Sequence, residues 1–431
     1  MIGMFVFTGV FIIIIVVILI VNQYSYNAAV VNNNKIKSLT YQTINYNEDR
    51  TIIQDPSCVI VESSPTNDNT AEKKGLYKIR DYYILSSYNS CNTSTELQHN
   101  TISLNALKYV IGQGARLLDF EIYSLENKPI VSTSNNPDNY YMFQSSNYVT
   151  FNDVFETIIN NAFNISTCPN PMDPLFVHLR VKSNNDKMLN NLATIFETYE
   201  GSTNYILGTT YSFEKTTCNP NVTTERNKQS NISPECKDIT INDASYNWCH
   251  PEITRDISQN SNINLNCNTN NITEEPLYYF QNKIIVILDR SNTTALDCAN
   301  LMEYVNLTSN SLYCRLINNF TMVNSQDQQE LLEFNKRTMT IVTPDIGINK
   351  NNPDVNKSKL LGIQFNANNF YQKDNSLNNS INMFNSAGCA FILKPAEMRY
   401  YPITVTVPPP NPPGYSFKER QIKNNYIGLS I

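Results

Sequence analysis

The fold of this chain is decided by two segments, DYYILSSYNSCNTS (Asp81–Ser94) and GARLLDFEIYSLENKPIVSTSN (Gly114–Asn135). Each contains a short apolar run bounded by polar residues, which is typical of a buried strand followed by a loop. The residues between them carry apolar side chains at helical spacing, so strand, helix and strand follow one another, an order that indicates a mainly parallel sheet. The predicted elements are a strand at Tyr82–Leu85, a helix at Leu104–Gln113, and strands at Ala115–Ile122 and Pro129–Ser132.

The same alternation continues along most of the chain. Helices are predicted at Thr150–Phe163, where Thr150 or Asn152 is the N-cap candidate, and around Lys187–Tyr199. The total of about eight or nine strands is enough to close a barrel of the (β/α)8 type. We therefore predict an α/β fold with a TIM-type barrel. Further strands are predicted at Leu175–Val181, Tyr205–Gly208, Lys283–Leu288, Met339–Val342, Leu360–Phe365 and Gly388–Leu393.

Composition divides the chain into six parts. They are a transmembrane anchor (1–21), a polar stalk (22–75), the first half of the barrel (76–211), an Asn- and Cys-rich insertion (212–275), the second half of the barrel (276–405) and a Pro-rich tail (406–431).

The N-terminal segment Met1–Val21 contains no charged residue, and its length matches the ~20 apolar residues that cross a bilayer. A cleaved signal peptide is the alternative, but its apolar region is usually ~7–15 residues long and ends at a small-residue cleavage site. The sequence thus favours a retained single-pass anchor. Its orientation stays open, since few basic residues flank it.

The chain has 10 cysteines, and all of them follow the predicted anchor. An even number outside the membrane favours disulfides, above all in the insertion, which holds Cys218, Cys236, Cys249 and Cys267. Buried reduced cysteines are the alternative. Glycosylation sequons, such as those at Asn92 and Asn306, are compatible with a lumenal, extracellular or virion-surface location.

Charge and motifs exclude several classes of function. With 32 basic and 38 acidic residues the net charge is −6, which argues against a nucleic-acid partner. Motifs of nucleotide-binding proteins, zinc proteases and serine hydrolases are absent from the sequence.

Five segments together resemble the catalytic barrel of phosphoinositide-specific phospholipase C. They are SSYNS (Ser86–Ser90), ARLLDFEIY (Ala115–Tyr123), KPIV (Lys128–Val131), LGIQFN (Leu361–Asn366) and GCAFILKPAEMR (Gly388–Arg399). They follow the family's order and span residues 76–399, apart from the insertion. An apolar N-terminus and an Asn-rich composition also resemble membrane-bound members of this family from large DNA viruses.

The resemblance implies a phosphodiesterase that uses two histidines and a calcium ion. At the histidine positions this chain has Tyr88 and Asn135. A phenol with a pKa near ~10 is a poor general base at neutral pH, and an amide carries no proton for exchange. Neither His99 nor His250 takes a matching place. His178 does not match either, although it lies in a predicted strand.

The calcium ligands implied by the resemblance are present only in part. Asn89 matches a ligand, and Asp119 and Glu121 alternate along one strand, so both face the barrel interior. The fourth ligand is replaced by Arg180, whose guanidinium disfavours a bound cation. We predict that Arg180 pairs with Asp119 or Glu121, while simple polar filling of the barrel mouth is the alternative. Calcium is expected only if this degenerate site still binds it, and no other cofactor is expected.

These residues favour a membrane-anchored, phospholipase C-like barrel without catalysis, acting as a binding or structural module of a viral membrane. The membrane is the partner through residues 1–21, and a lipid or protein ligand is expected at the barrel mouth. The alternative is a divergent phosphoric diester hydrolase that uses His178 and Arg180 with Tyr88 and Glu121. Arg290 is a weak candidate for substrate phosphate. An adhesion ectodomain with the same inactive barrel is a third possibility.

Overall fold

Eleven strands belong to one sheet in the part of the chain that the structure describes. This computed structural model describes residues 10–24, 77–94, 100–135, 142–208, 211–212, 272–273, 275–346, 351–401, 421–423 and 428–430. The strands are β1 (Tyr82–Ser87), β2 (Leu117–Leu125), β3 (Lys128–Ser132), β4 (Val149–Thr150), β5 (Leu175–Val181), β6 (Ile284–Asp289), β7 (Leu307–Ser309), β8 (Cys314–Asn318), β9 (Met339–Thr343), β10 (Phe365–Asn368) and β11 (Phe391–Leu393).

Eight of these strands are parallel and form a nearly closed barrel. Their order is β7-β6-β5-β2-β1-β10-β9-β8, so each strand lies beside the next barrel strand of the sequence. The two end strands, β7 and β8, are in contact without ladder hydrogen bonds between them, which leaves a seam in the barrel wall. This arrangement confirms the predicted α/β, TIM-type architecture.

Helices connect most of the barrel strands. They are α1 (10–24), α2 (Leu104–Gly112), α3 (Phe151–Ala162), α4 (Asp186–Ser202), α5 (Thr293–Asp297), α6 (Ala299–Met302), α7 (Asn319–Val323), α8 (Gln328–Arg337), α9 (Val355–Leu360) and α10 (Asn375–Ala387). In α3, the hydroxyl of Thr150 accepts a hydrogen bond from the Asp153 N–H at 3.2 Å and caps the helix. The helices predicted at 104–113, 150–163 and 187–199 are thus confirmed, with ends shifted by a few residues.

The sequence of β6, IIVILD, is buried along its whole length. Because a strand in a parallel barrel is covered on both faces, it is uniformly apolar rather than alternating. Phe176 on β5 and Phe365 on β10 meet across the interior, with ring centroids 5.2 Å apart. The core of the described residues is therefore one large cluster that fills the barrel and the space beneath most of its helices, with a second, small cluster around Met322 and Leu331.

The prediction that Pro129–Ser132 is a barrel strand is wrong. This segment is β3, which pairs antiparallel with β2 and then with β4, outside the ring of parallel strands. Leu125 and Lys128 face each other across a two-residue turn, Glu126–Asn127, whose φ angles are 51° and 63°. Two consecutive positive φ angles make the tight hairpin turn that a parallel connection cannot use.

Three other strand predictions also need correction. Tyr205–Gly208 forms only a single bridge, between Ile206 and Ile284. In the segment 360–365, Leu360 ends α9 and the strand begins only at Phe365. The segment 388–393 contributes β11, which pairs antiparallel with β1 rather than closing the ring.

The N-terminal segment is helical over residues 10–24, and its apolar side chains are exposed. Residues 1–9 of the predicted anchor lie outside the described part. Within the described residues, no helix combines the length and the apolar character needed to cross a membrane.

The cysteines of the described part form no disulfide, and Cys91, Cys168 and Cys314 are buried free thiols. For these three residues the structure agrees with the alternative prediction from the sequence, namely buried and reduced cysteines. The four cysteines on which the predicted insertion disulfides depend lie outside the described residues, as do His99, His250 and most of the stalk.

Two sequons are closed to modification in the folded chain, because Asn92 and Asn306 are 1 % and 2 % exposed.

The last 32 residues, Tyr400–Ile431, form a separate unit. In it β12 (Gln421–Lys423) and β13 (Gly428–Ser430) pair antiparallel. The proline run of the predicted tail lies outside the described residues.

Candidate active site

The register of two neighbouring strands builds the site. In the parallel pair β2 and β5, Asp119 is the partner of His178 and Glu121 is the partner of Arg180. Because side chains alternate along a strand, all four point to the same face, the barrel interior. Asp119, His178 and Glu121 are at most 3 % exposed and Arg180 is 7 % exposed, so the cluster is almost fully shielded from water.

Arg180 is the centre of this cluster. Its Nε donates to Asp119 Oδ1 at 2.9 Å, and its Nη2 donates to Asp119 Oδ2 at 2.7 Å. Nη1 donates to Glu121 Oε1 at 2.7 Å, and Nη2 also donates to Asn89 Oδ1 at 2.8 Å. The ion pair predicted from the sequence is confirmed, and the guanidinium contacts both carboxylates at once.

The surrounding backbone and side chains hold the two carboxylates in place. The Asn89 N–H donates to Asp119 Oδ2 at 3.1 Å, from a residue whose φ of 43° lies in the left-handed region that asparagine tolerates. The Tyr123 hydroxyl donates to Glu121 Oε2 at 2.9 Å, and the Ser134 N–H donates to the same oxygen at 3.2 Å. Asp119 and Glu121 therefore accept hydrogen bonds from several fixed directions.

These contacts determine the charge states. Burial alone would raise the pKa of Asp119, but the Arg180 guanidinium and the His178 contact hold it well below its usual range. Burial also opposes the charge on Arg180, yet Asp119, Tyr88 and Glu121 raise its pKa further above neutrality. The pair is consequently a carboxylate and a guanidinium at every physiological pH.

The predicted calcium ligands do not fit a bound calcium ion. Oxygen atoms of Asn89, Asp119 and Glu121 all accept hydrogen bonds from Arg180, so the positive charge at this place belongs to the side chain itself. Calcium needs six to eight free oxygen ligands. Among the described residues no group of three or more His, Cys, Asp or Glu side chains is placed to hold a metal.

Tyr88 and Asn135 lie at or near the mouth, but neither is placed for proton exchange. Burial raises the pKa of Tyr88 even above its ordinary value near 10, and its ring lies 4.7 Å from the Arg180 guanidinium carbon. At the other position, the Asn135 N–H donates to Gln144 Oε1 at 2.8 Å, and the neighbouring Ser134 N–H contacts Glu121. The backbone N–H of Arg290, the candidate for substrate phosphate, donates to the carbonyl of Ser309 at 3.2 Å.

Ser309 is the residue of the site that the sequence did not reveal. Its Oγ lies 2.8 Å from His178 Nε2, and His178 Nδ1 lies 2.7 Å from Asp119 Oδ1. It ends β7, a three-residue strand too short to produce a periodic pattern, and no sequence motif marks it. A polar residue at the end of a barrel strand was the one available signal.

Comparison with known proteins bears on the fold. No family model and no curated protein matches the sequence. Among solved structures, PLC21 of S. officinalis matches with 15 % identity and a TM-score of 0.50, over 75 % of this chain and 38 % of that one. PLC21 of L. pealei matches with 14 % identity and a TM-score of 0.49 over the same shares.

A smaller structure is also similar. It is a calcium-dependent phosphoinositol-specific phospholipase C of Pseudomonas sp., matched at 9 % identity and a TM-score of 0.33, over 68 % of this chain and 90 % of that one. The chain folds as a phospholipase C-like barrel. It spans about two fifths of the length of the PLC21 chains. Its site differs from the one that the sequence resemblance implies at both histidine positions and at the fourth calcium ligand. The similarity to these structures thus supports the fold predicted from the sequence. The residues at the barrel mouth form a network that differs from the implied calcium site.

Proposed function

We propose that this phospholipase C-like barrel no longer cleaves phosphodiesters and serves as a binding or structural module at a membrane. The observation that supports it most is the engagement of Arg180. One guanidinium binds Asn89, Asp119 and Glu121 at once, where the resemblance implies a calcium ion. Because this guanidinium is engaged by three side chains, it is not free to stabilise charge that develops on a transferred phosphoryl group.

The residues at the histidine positions support the same proposal. General acid-base catalysis needs a group whose pKa lies near the working pH. Burial moves the pKa of Tyr88 further from that range, and Asn135 carries no exchangeable charge. Two-histidine phosphodiester cleavage therefore has no counterpart at these positions.

Anchoring and location are part of the proposal. The uncharged segment Met1–Val21 would tether the barrel to a membrane, with the barrel on the lumenal, extracellular or virion side. A lipid or protein ligand would bind at the rim of the mouth. The viral setting expected from the resemblance stays a prediction.

The test is an assay of the full-length chain in detergent for release of inositol phosphates from phosphatidylinositol, with calcium and with chelator. We expect no release above that of a heat-denatured control. The competing function is a divergent phosphodiesterase, favoured by the hydrogen bonds that orient His178. Turnover that Arg180→Met or His178→Ala abolishes, in a variant that keeps the wild-type circular dichroism spectrum, would replace the proposal by that function.

Calcium provides an independent test. We expect isothermal calorimetry to detect no calcium binding at micromolar concentrations, because the candidate ligand oxygens are already hydrogen-bonded to Arg180. Calcium binding that disappears in Asp119→Ala would overturn this part of the proposal.

A further inference from the structure

We propose that Ser309 is a nucleophile, activated by His178 and oriented through Asp119, that hydrolyses small carboxylic esters. This activity goes beyond the proposed function and does not depend on it, because a chain that leaves phosphodiesters intact can still transfer an acyl group.

The geometry is that of a Ser-His-Asp relay. Ser309 Oγ, His178 Nε2, His178 Nδ1 and Asp119 Oδ1 form one chain, with contacts of 2.8 Å and 2.7 Å. The Asp119 carboxylate can only accept, so Nδ1 carries the proton, and in the neutral imidazole Nε2 accepts from the Ser309 hydroxyl. This is the tautomer in which a histidine removes a proton from a serine.

A candidate for stabilising the oxyanion lies in the same cluster. Asn89 is 4 % exposed, and its Nδ2 is buried without a hydrogen-bond partner among the described residues. Its other polar atoms are used, since Oδ1 accepts from Arg180 and the backbone N–H donates to Asp119. An unpartnered buried amide donor is a group that can stabilise a developing oxyanion, and Asn89 contacts the Asp119 member of the relay.

The charge of the cluster favours an ester over a phosphate group. The relay contains one carboxylate, Asp119, and a second, Glu121, lies beside it; Arg180 is already bound by both. An anionic phosphate would have to compete with these carboxylates for the guanidinium. A neutral ester carries no charge, so the two carboxylates do not repel it.

The seam of the barrel offers a route to the buried serine. Ser309 is 0 % exposed, but it ends β7, whose outer edge has no ladder partner among the described strands. Asn310, the next residue, has a φ of 56° and begins the exposed loop to β8. Ester hydrolysis at this residue requires the loop to move aside and uncover Ser309 while β7 stays paired with β6.

The reaction balances with water as the sole co-substrate. Ser309 Oγ bonds to the ester carbonyl carbon while its proton moves to His178 Nε2. The bond from that carbon to the alcohol oxygen then breaks, and the leaving alkoxide takes the proton from His178. Water repeats both steps on the acyl-serine, which releases the carboxylic acid and restores Ser309.

The test is covalent labelling of the full-length chain with a small fluorophosphonate, followed by peptide mass spectrometry. We expect one adduct, at Ser309, and a labelling rate reduced at least ~10²-fold in His178→Ala, the usual contribution of a general base. Ser311 is the matched control, because it is more exposed than Ser309 and should stay unlabelled, and Ser311→Ala should leave labelling at Ser309 unchanged. Hydrolysis of p-nitrophenyl acetate should be lost in Ser309→Ala.

Absence of an adduct on Ser309 in the wild-type chain overturns the proposal, and this result does not depend on the folding of any variant. Equal labelling of Ser309 and Ser311 also overturns it, since it would reflect exposure rather than activation. Inositol phosphate release is measured separately, so failure of the ester activity and failure of the proposed function are distinguishable.

Discussion

Arg180 and Asp119 are joined by two parallel hydrogen bonds, from Nε to Oδ1 at 2.9 Å and from Nη2 to Oδ2 at 2.7 Å. This fork-to-carboxylate geometry fixes both planes relative to each other, which a lysine could not do. The pair is shielded from water, with side-chain exposures of 8 % and 1 %. Loss of this pair should therefore destabilise the whole barrel.

Arg180→Met tests this dependence. The change leaves Asp119 and Glu121 buried without their cation, and we expect the free energy of unfolding to fall by about 3–5 kcal/mol. Urea unfolding followed by circular dichroism measures it. The matched control is Arg315→Met, which breaks the Arg315–Glu330 pair, whose side chains are 34 % and 51 % exposed; exposed pairs are worth at most about 1 kcal/mol. Equal losses in the two variants would contradict a special role for the buried pair.

Lys394 makes the stability of the fold depend on pH. Burial lowers the pKa of this amine from 10.5 to about 7, although Asp81 acts in the opposite direction. Between pH 7 and 10.5 the unfolded chain therefore binds more protons at this residue than the folded chain does, so this residue makes stability rise with pH across that window. Below the window the folded state bears the cost of a buried ammonium group.

Lys394→Met should remove this contribution. We expect the difference in urea midpoint between variant and wild type to favour the variant at pH 6 and to shrink as the pH approaches 10. The variant also loses the hydrogen bond from Nζ to the Asn335 carbonyl at 3.1 Å, and this loss lowers its stability at both ends of the pH range. A midpoint difference that stays constant with pH would show that the amine is not protonated differently in the two states.

Two glycines should respond to alanine in opposite ways. Gly362 has a φ of 66°, a conformation that strains any side chain, so we expect Gly362→Ala to destabilise the barrel by about 1 kcal/mol. Gly201 lies inside α4, and an added Cβ would meet no atom within 4 Å. Gly201→Ala should stabilise the chain by up to about 1 kcal/mol through helix propensity. Thermal unfolding of both variants checks the signs, and equal signs would be inconsistent with the backbone geometry.

Cysteine reactivity should follow burial. Burial raises the pKa of the Cys91 and Cys314 thiols, and both are at most 2 % exposed, so we expect neither to react with iodoacetamide under native conditions. Cys298 is only partly buried and should be modified before them. Peptide mapping with and without reduction measures this order, and the same experiment reports whether Cys218, Cys236, Cys249 and Cys267 are bridged. Modification of Cys91 before Cys298 would contradict the packing.

The barrel could be predicted because strand and helix periodicity is local, and the ion pair could be predicted because the family resemblance places Arg180 beside Asp119 and Glu121. Alternation places Asp119 and Glu121 on one face, and the same rule places His178 and Arg180 on one face of the next strand. Their register, Asp119 with His178 and Glu121 with Arg180, depends on how two distant segments pair, and only the structure reveals it.

Other features could not be predicted for the same physical reason. The hairpin of β2 and β3 depends on two positive φ angles at Glu126 and Asn127, a pair that lacks the usual glycine. β7 has three residues, so its strand character comes from tertiary pairing rather than from periodicity. Ser309 was missed along with the strand that carries it.

The bridge between Ile206 and Ile284 holds together two points of the chain that are far apart in sequence. The Ile284 N–H also donates to the Tyr205 carbonyl at 2.7 Å, so the residues on either side of the insertion are joined within the barrel wall. A closed pair of ends is the condition under which a chain tolerates excision or replacement of what lies between them. The wall of the barrel is therefore held closed at this point by contacts that do not depend on the length of the segment between these two isoleucines.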